Sequence, residues 1–353
     1  MLTISPPGET VGLVKHRPLA AIALAVLALA AGLACRSQGG PGGGPAAELK
    51  GKTIGVVSLS DVPALETRYV LHNAYGLDTT QKASAVTFVE VPPDALAAQL
   101  QSGQIDAAVL SQAGAYRLLN DGGVRVISNV SKEARRLAGG PFAGSVLLSY
   151  TDVVQQKSDA LRELDRVLAL SVAYYKANES TVLRAVAAQQ AADPAFLRWQ
   201  AGRQELPLGD LSQRTQEALV RVWRVAADLG DIERVPDLKS LLFQPPKQQD
   251  AAGAASGRVT VSLAVLDDPS RRAALYAIEQ AIATSAEIDI AITYVAPSAL
   301  AEAATTKQYD IIEAQPLVVP ASAAKDVSFV VVSAGLLDLD STLLFARSDA
   351  TPD

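Results

Sequence analysis

From Lys52 onward, apolar runs of strand length alternate with stretches of helical periodicity. Residues 52–57 (KTIGVV) predict a buried strand. Ser60, Asp61, Val62 and Pro63 predict a helix start, with capping side chains and a proline in the first turn, and the helix runs to about Tyr75. Residues 86–91 (VTFVEV) read as the next strand, 93–102 (PDALAAQLQS) as a short helix and 105–110 (IDAAVL) as another strand. Residues 124–127 and 145–149 add short strands. This β-α-β-α-β order implies a mainly parallel sheet with helices on both faces.

The second half repeats the theme. Residues 258–266 (RVTVSLAVL) predict a strand, and Asp267, Asp268 and Pro269 open a helix that runs to about Ser285. Residues 288–295 form a strand, 297–304 a short helix, and 309–312, 327–333 and 342–347 further strands. The segment 96–112 (LAAQLQSGQIDAAVLSQ) parallels 300–315 (LAEAATTKQYDIIEAQ): a helix, a polar turn, a strand with Asp106 or Asp310 near its start, and a Gln soon after its end. Two similar α/β lobes are the economical reading, although any two βαβ units share part of this likeness. Between them, residues 158–178, 180–190, 194–202 and 211–229 show helical periodicity with few breakers. Residues 244–257 (QPPKQQDAAGAASG) are a linker by composition. The expected organisation is an α/β lobe over 49–150, a helical region over 151–243 packing on the lobes, a linker over 244–257, a second α/β lobe over 258–347 and a tail over 348–353.

The N-terminus is different in kind. An uncharged apolar run, 18–34 (PLAAIALAVLALAAGLA), follows Lys15, His16 and Arg17 and is somewhat short for a spanning helix of ~20 residues. It ends at Cys35, the chain's single cysteine. Gly32-Leu33-Ala34-Cys35 resembles the bacterial lipoprotein signal, with Gly32 where that signal usually has Leu. The resemblance implies a signal peptide over 1–34, a lipidated Cys35, and a chain held at the outer face of the cell membrane. Residues 35–48, rich in Gly and Pro, suit a flexible tether. An uncleaved anchor helix is the alternative.

Composition narrows the function. Roughly 300 residues follow the tether, enough for one large or two medium domains. The net charge of -6 and the lack of a basic stripe argue against a nucleic-acid partner. Only His16 and His72 are histidines, so a His-based zinc site or a Cys-His or Ser-His pair is not available after the signal. No Walker loop, GxGxxG after a strand or GxSxG elbow occurs. No cofactor, metal or catalytic residue is expected.

Three weak motifs in register resemble the periplasmic substrate-binding proteins of ABC importers in the nitrate, sulfonate, taurine and thiamine-precursor group. They are 48–56 (ELKGKTIGV), the turn 103–107 (GQIDA) and 227–232 (ADLGDI), and the likeness covers roughly 49–243. It implies a two-lobed, type II-like periplasmic-binding-protein fold, a small-molecule solute, permease and ATPase partners, and a monomer. In that group the lobe resembling 258–347 comes first; here it follows the helical tail, which implies a circular permutation of lobe order. An enzyme on the same fold, such as a pyrimidine-precursor synthase or a phosphoribosyltransferase-like protein, and a lipid-anchored sensor or scaffold are the alternatives.

Ligands of such sheets sit beyond the carboxyl ends of the strands. In the first lobe those positions are Ser58, Ser60, Asp61, Ser111 and Gln112; in the second, Asp267, Asp268, Glu313 and Gln315, with Tyr294 as a stacking platform. Phe142 and Ser145 lie where the chain crosses between lobes. Asp61, Asp267 and Asp268 serve equally well as helix caps. Strand ends rich in Asp, Glu, Gln and Ser favour a neutral or cationic organic solute over an oxoanion. On this reading, Ala at Glu313 or Asp268 weakens binding without unfolding the protein.

Overall fold

The computed structural model describes residues 48–80, 84–244, 258–323 and 328–348. The signal-like run, Cys35, nearly all of the tether, the linker from 245 and the tail beyond 348 lie outside the described residues. Lobe A opens with β1 (Thr53–Val56), α1 (Val62–Tyr75), β2 (Thr87–Glu90), α2 (Leu96–Ser102) and β3 (Ala107–Leu110). It continues through α3 (Gln112–Asp121), β4 (Val124–Asn129) and α4 (Val130–Ala138). The chain then enters the other sheet as β5 (Phe142–Tyr150).

A helical tail follows: α5 (Thr151–Ala177), α6 (Glu179–Gln190), α7 (Pro194–Ala201), the two-residue β6 (Gln204–Glu205), α8 (Gln213–Asp228) and α9 (Leu238–Leu241). Lobe B comprises β7 (Val259–Leu266), α10 (Pro269–Glu279), β8 (Ile288–Val295), α11 (Pro297–Thr306), β9 (Ile311–Ala314), α12 (Val318–Ala323) and β10 (Phe329–Asp338). The last strand, β11 (Leu343–Arg347), returns to lobe A.

Local chemistry accounts for these boundaries. Asp61 accepts from the Ala64 N–H at 2.8 Å and Pro63 sits in the first turn of α1. Gly103, at φ 76, ends α2 in the left-handed conformation that glycine adopts without strain. Helix α10 ends at Glu279, short of the expected Ser285, because Ala281 turns the chain at φ 53. Helices α3 and α4, each about ten residues, were not anticipated from periodicity.

The two sheets have the strand orders β2-β1-β3-β11-β4 and β6-β10-β5-β9-β7-β8. Without β6 they share one pattern, in which the fourth strand comes from the other half of the chain. β1 runs parallel to β2 and β3, and β7 parallel to β8 and β9. The inserted strands, β11 and β5, run antiparallel to both neighbours, so the sheets are mixed where the sequence pattern suggested mainly parallel ones. Parallel neighbours need helical crossovers, whereas a strand arriving from the other lobe is free of that constraint.

One apolar cluster runs through both halves, joining Ile54 and Val56 of lobe A to Val146 and Leu148 of β5 and to Val222 and Trp223 of α8. Trp223, fully buried, donates its indole N–H to the Pro316 carbonyl at 3.0 Å. The tail therefore packs on the lobe junction. Among the described residues, no helix is long and apolar enough to cross a membrane.

Candidate functional site

A groove of about 1530 Å³ opens beside the carboxyl end of β1. Lobe A contributes Leu59 and Ser60 just past β1, Arg68 of α1, and Thr87 and Phe88 of β2. Lobe B contributes Leu317, Val319 and Pro320, the apolar strap that follows β9. The loop after α8 closes a third side with Ile232 and Val235.

The lobe A wall is open and its donors are already engaged by acids. Val57 and Leu59 are 41% and 45% exposed. The Leu59 N–H donates to Glu90 Oε1 at 2.7 Å, and the Ser58 hydroxyl donates to the same oxygen at 3.1 Å. Ser58 and Ser60 hydroxyls pair at 3.1 Å. Burial raises the Asp61 carboxyl to about 7, against its helix-cap hydrogen bonds. Arg68 forks onto both oxygens of Asp231, with one contact at 2.8 Å. The remaining charged lining residues are Glu233, Arg234 and Asp237. An oxoanion would meet Asp61 where the α1 N-terminus could have received it and Glu90 on the nearby N–H. The surface suits an apolar body with hydroxyl-compatible or positively charged edges.

Lobe B ends its strands in a sealed network. Glu313, at the end of β9, accepts from Arg271 Nη2 at 2.6 Å, the Ser145 hydroxyl at 2.5 Å and the Leu266 N–H at 3.0 Å. Burial works to raise the Glu313 carboxyl, but Arg271 and these donors outweigh it and hold it below the usual glutamate range. Asp268 caps α10 through the Ser270 N–H at 2.8 Å and takes the Gln200 amide of α7 at 3.1 Å on both oxygens. Asp267, exposed, accepts from Arg272 at 2.9 Å, and the same guanidinium lies 3.8 Å from the Tyr294 ring centre.

The candidate positions thus divide. Ser60 lines the groove and Ser58 and Asp61 flank it. Ser111 occupies the α3 cap position without a side-chain cap bond, and Gln112 follows at φ 51. Gln315 is exposed at the start of the strap, where its carbonyl accepts from the Val318 N–H at 3.0 Å. Phe142 is buried against Tyr69, and Ser145, Asp268 and Glu313 are buried as well. Strand-end reasoning missed Leu59, Phe88, Leu317 and the loop after α8. The available signal was apolar residues in otherwise polar turns: Leu59 within SLSD and 317–320 (LVVP) after a strand end.

Residues 42–188 match the NMT1-like family. The chain is thus similar to that family over lobe A and into the helical tail, less than half of its length. Among curated proteins no relative matches. Solved structures with a likeness include an ABC transporter from Parabacteroides distasonis, 12% identical, covering 84% of this chain and 66% of that one at a TM-score of 0.34. The periplasmic aliphatic sulphonate binding protein SsuA from Escherichia coli is 10% identical, covering 84% of this chain and 65% of that one at 0.31. An ABC transporter/periplasmic binding protein from Brucella ovis with glutathione bound is 9% identical, covering 87% and 66% at 0.34. The chain therefore spans just under two thirds of the length of each of these three.

Proposed function

We propose that this chain is an extracytoplasmic solute-binding protein that captures a small organic molecule between its lobes and delivers it to the permease and ATPase of an ABC importer. The observation that carries this reading is the groove walled by lobe A, the lobe B strap and the tail, on a scaffold in which each sheet holds one strand of the other half. Two lobes joined by a pair of crossing segments can close on a solute and exclude water. The signal-like run ending at Cys35 supports export and a lipid anchor. The acidic surroundings of the β1 end favour a neutral or cationic solute. The chain binds as a monomer and does no covalent chemistry.

The lobe order arose by circular permutation. Both sheets share one strand pattern, so topology is compatible with either order; the support comes from the ADLGDI end of the tail preceding the second lobe. A reordered chain with 258–348 placed ahead of 48–243 should fold and melt as the natural one does, and failure to fold would count against the permutation.

The test of function is a thermal-shift panel on the full chain with neutral heterocycles, amines, sulfonates and inorganic oxoanions. A ligand at a hundredfold excess over its Kd stabilises by about 2.7 kcal/mol, a shift of a few degrees. Stabilisation is expected from a heterocycle or amine and should vanish in Leu59→Lys, which removes the apolar contact and repels a cation. No stabilising solute, or stabilisation that survives in Leu59→Lys, would contradict the proposal.

A further inference from the structure

Glu66 takes no part in the groove, yet its setting is chemically unusual. It sits in the second turn of α1, is 0% exposed, and neither carboxylate oxygen has a hydrogen-bond partner among the described residues. Helix α1 belongs to lobe A but packs on β5, the strand with which the chain enters the lobe B sheet: the Tyr69 and Phe142 rings meet at 6.1 Å. Phe142 pairs in register with Asp338, the last residue of β10. There the chain leaves for β11, and Asp338 holds the turn by accepting from the Ser341 N–H and hydroxyl at 2.9 Å and the Thr342 hydroxyl at 2.7 Å. Glu66 therefore stands where both lobe-to-lobe connections pass.

The groups that act on it are acids that disfavour its ionisation: Asp338 from β10, whose own carboxyl burial raises, and Asp61 from the cap of its own helix, raised by burial to about 7. Arg68, further along α1, forks onto Asp231. Of the elements packed on α1, β3 and β5 carry no charged side chain. On α4, Lys132, Glu133, Arg135 and Arg136 are exposed or half-exposed, with Arg136 bonded to Glu133. On α8, Arg221 donates to the Ala138 and Pro141 carbonyls, Arg214 pairs with Glu205, Glu217 accepts from Gln213, and Arg224 and Asp228 are exposed. An ionised Glu66 would be a buried charge without a counter-ion, which proteins avoid by keeping such a group neutral.

We propose that Glu66 is a proton-binding switch at the lobe junction: it holds a proton while the lobes are packed together, and its ionisation opens the junction to water. Burial, with Asp338 and Asp61 adding to it, raises the carboxyl well above its ordinary value of 4.5. The packed state keeps the proton and the opened state releases it, so the packed state loses ground as pH rises from about 4.5 towards the raised value. This inference does not depend on the solute-binding reading.

The test follows glutamate carboxyl-carbon resonances and the radius of gyration of the full chain, without solute, from about pH 5 to about pH 9. One glutamate should titrate far above the others and disappear in Glu66→Gln, and the radius should grow with the same midpoint in the natural chain but stay constant in Glu66→Gln. In Asp338→Asn both midpoints should move down together, because one negative neighbour is gone. A Glu66 already ionised at the acid end, or a radius that follows the same course in Glu66→Gln, would overturn the proposal. Should Glu66→Gln fail to fold, Asp338→Asn decides: a carboxyl midpoint that moves without the radius overturns it.

Discussion

In lobe A the backbone N–H of Leu59, just past β1, donates to the carboxylate of Glu90; in lobe B the N–H of Leu266, at the end of β7, donates to Glu313. Both lobes thus set a glutamate from a neighbouring strand on the end of the first strand. They differ in what surrounds it. Glu313 is buried and answered by Arg271 and Ser145, and the Gln200 amide of α7 covers Asp268 beside it. Glu90 is exposed, with two open apolar residues, Val57 and Leu59, next to it. A shared scaffold is sealed on one side and open on the other, so under the proposed function the lobe A wall and the strap facing it are the surfaces left to meet a solute.

The bluntest way to break this comparison is to remove one partner of the sealed pair. Arg271→Met strands a buried carboxylate and should cost about 3–5 kcal/mol in urea unfolding, whereas Glu90→Ala should cost less than about 1 kcal/mol. Equal losses would erase the distinction. The burial of Glu313 also moves the expected consequence of Glu313→Ala from binding to stability.

The strand starts offer a finer contrast. Asp310 accepts from the Ser262 N–H at 2.8 Å, the Ser262 hydroxyl at 3.0 Å and Lys157 at 2.8 Å, while exposed Asp106 accepts from the Thr53 N–H at 2.8 Å. Asp310→Ala should therefore lose about 2 kcal/mol and Asp106→Ala about 0.5 kcal/mol. Burial tends to raise Asp310, but Lys157 and Ser262 prevail and its carboxyl is lowered from 3.8. Its contribution is complete above that value and fades as pH falls through the lowered one, so the natural chain and Asp310→Ala should converge in acid unfolding. The smallest stability effect belongs to Leu59→Lys, within about 0.5 kcal/mol of the natural chain because the site is open, despite the loss of solute expected there.

The Asp106 and Asp310 turns show how much of this was legible. Their shared helix-turn-strand pattern identified two lobes, and the structure gives both aspartates one job, tying the third strand of a lobe to the backbone of its first. Strands with strong β-branched runs and helices with a cap and an early proline were readable because those signals are local. Helix α3 was not, although Ala115 and Leu118 mark a buried face three residues apart: Gln112–Asp121 is short, follows directly on a strand and has no side-chain cap, and it packs against α7 through Tyr116, Phe196 and Trp199. Nor could the strand ends be sorted into sealed and open. That sorting depends on Arg271, Ser145 and Gln200 reaching Glu313 and Asp268 from distant parts of the chain, a convergence that no spacing in the sequence records.

Hydrogen exchange on the full chain, with and without the solute giving the largest thermal shift, tests the central claim most directly. The account predicts new protection over 57–62, 86–90 and 315–321, where the groove is walled, and no change over 266–271, where the strand end is already sealed. Protection confined to 266–271, with the β1 end and the strap unchanged, would contradict it.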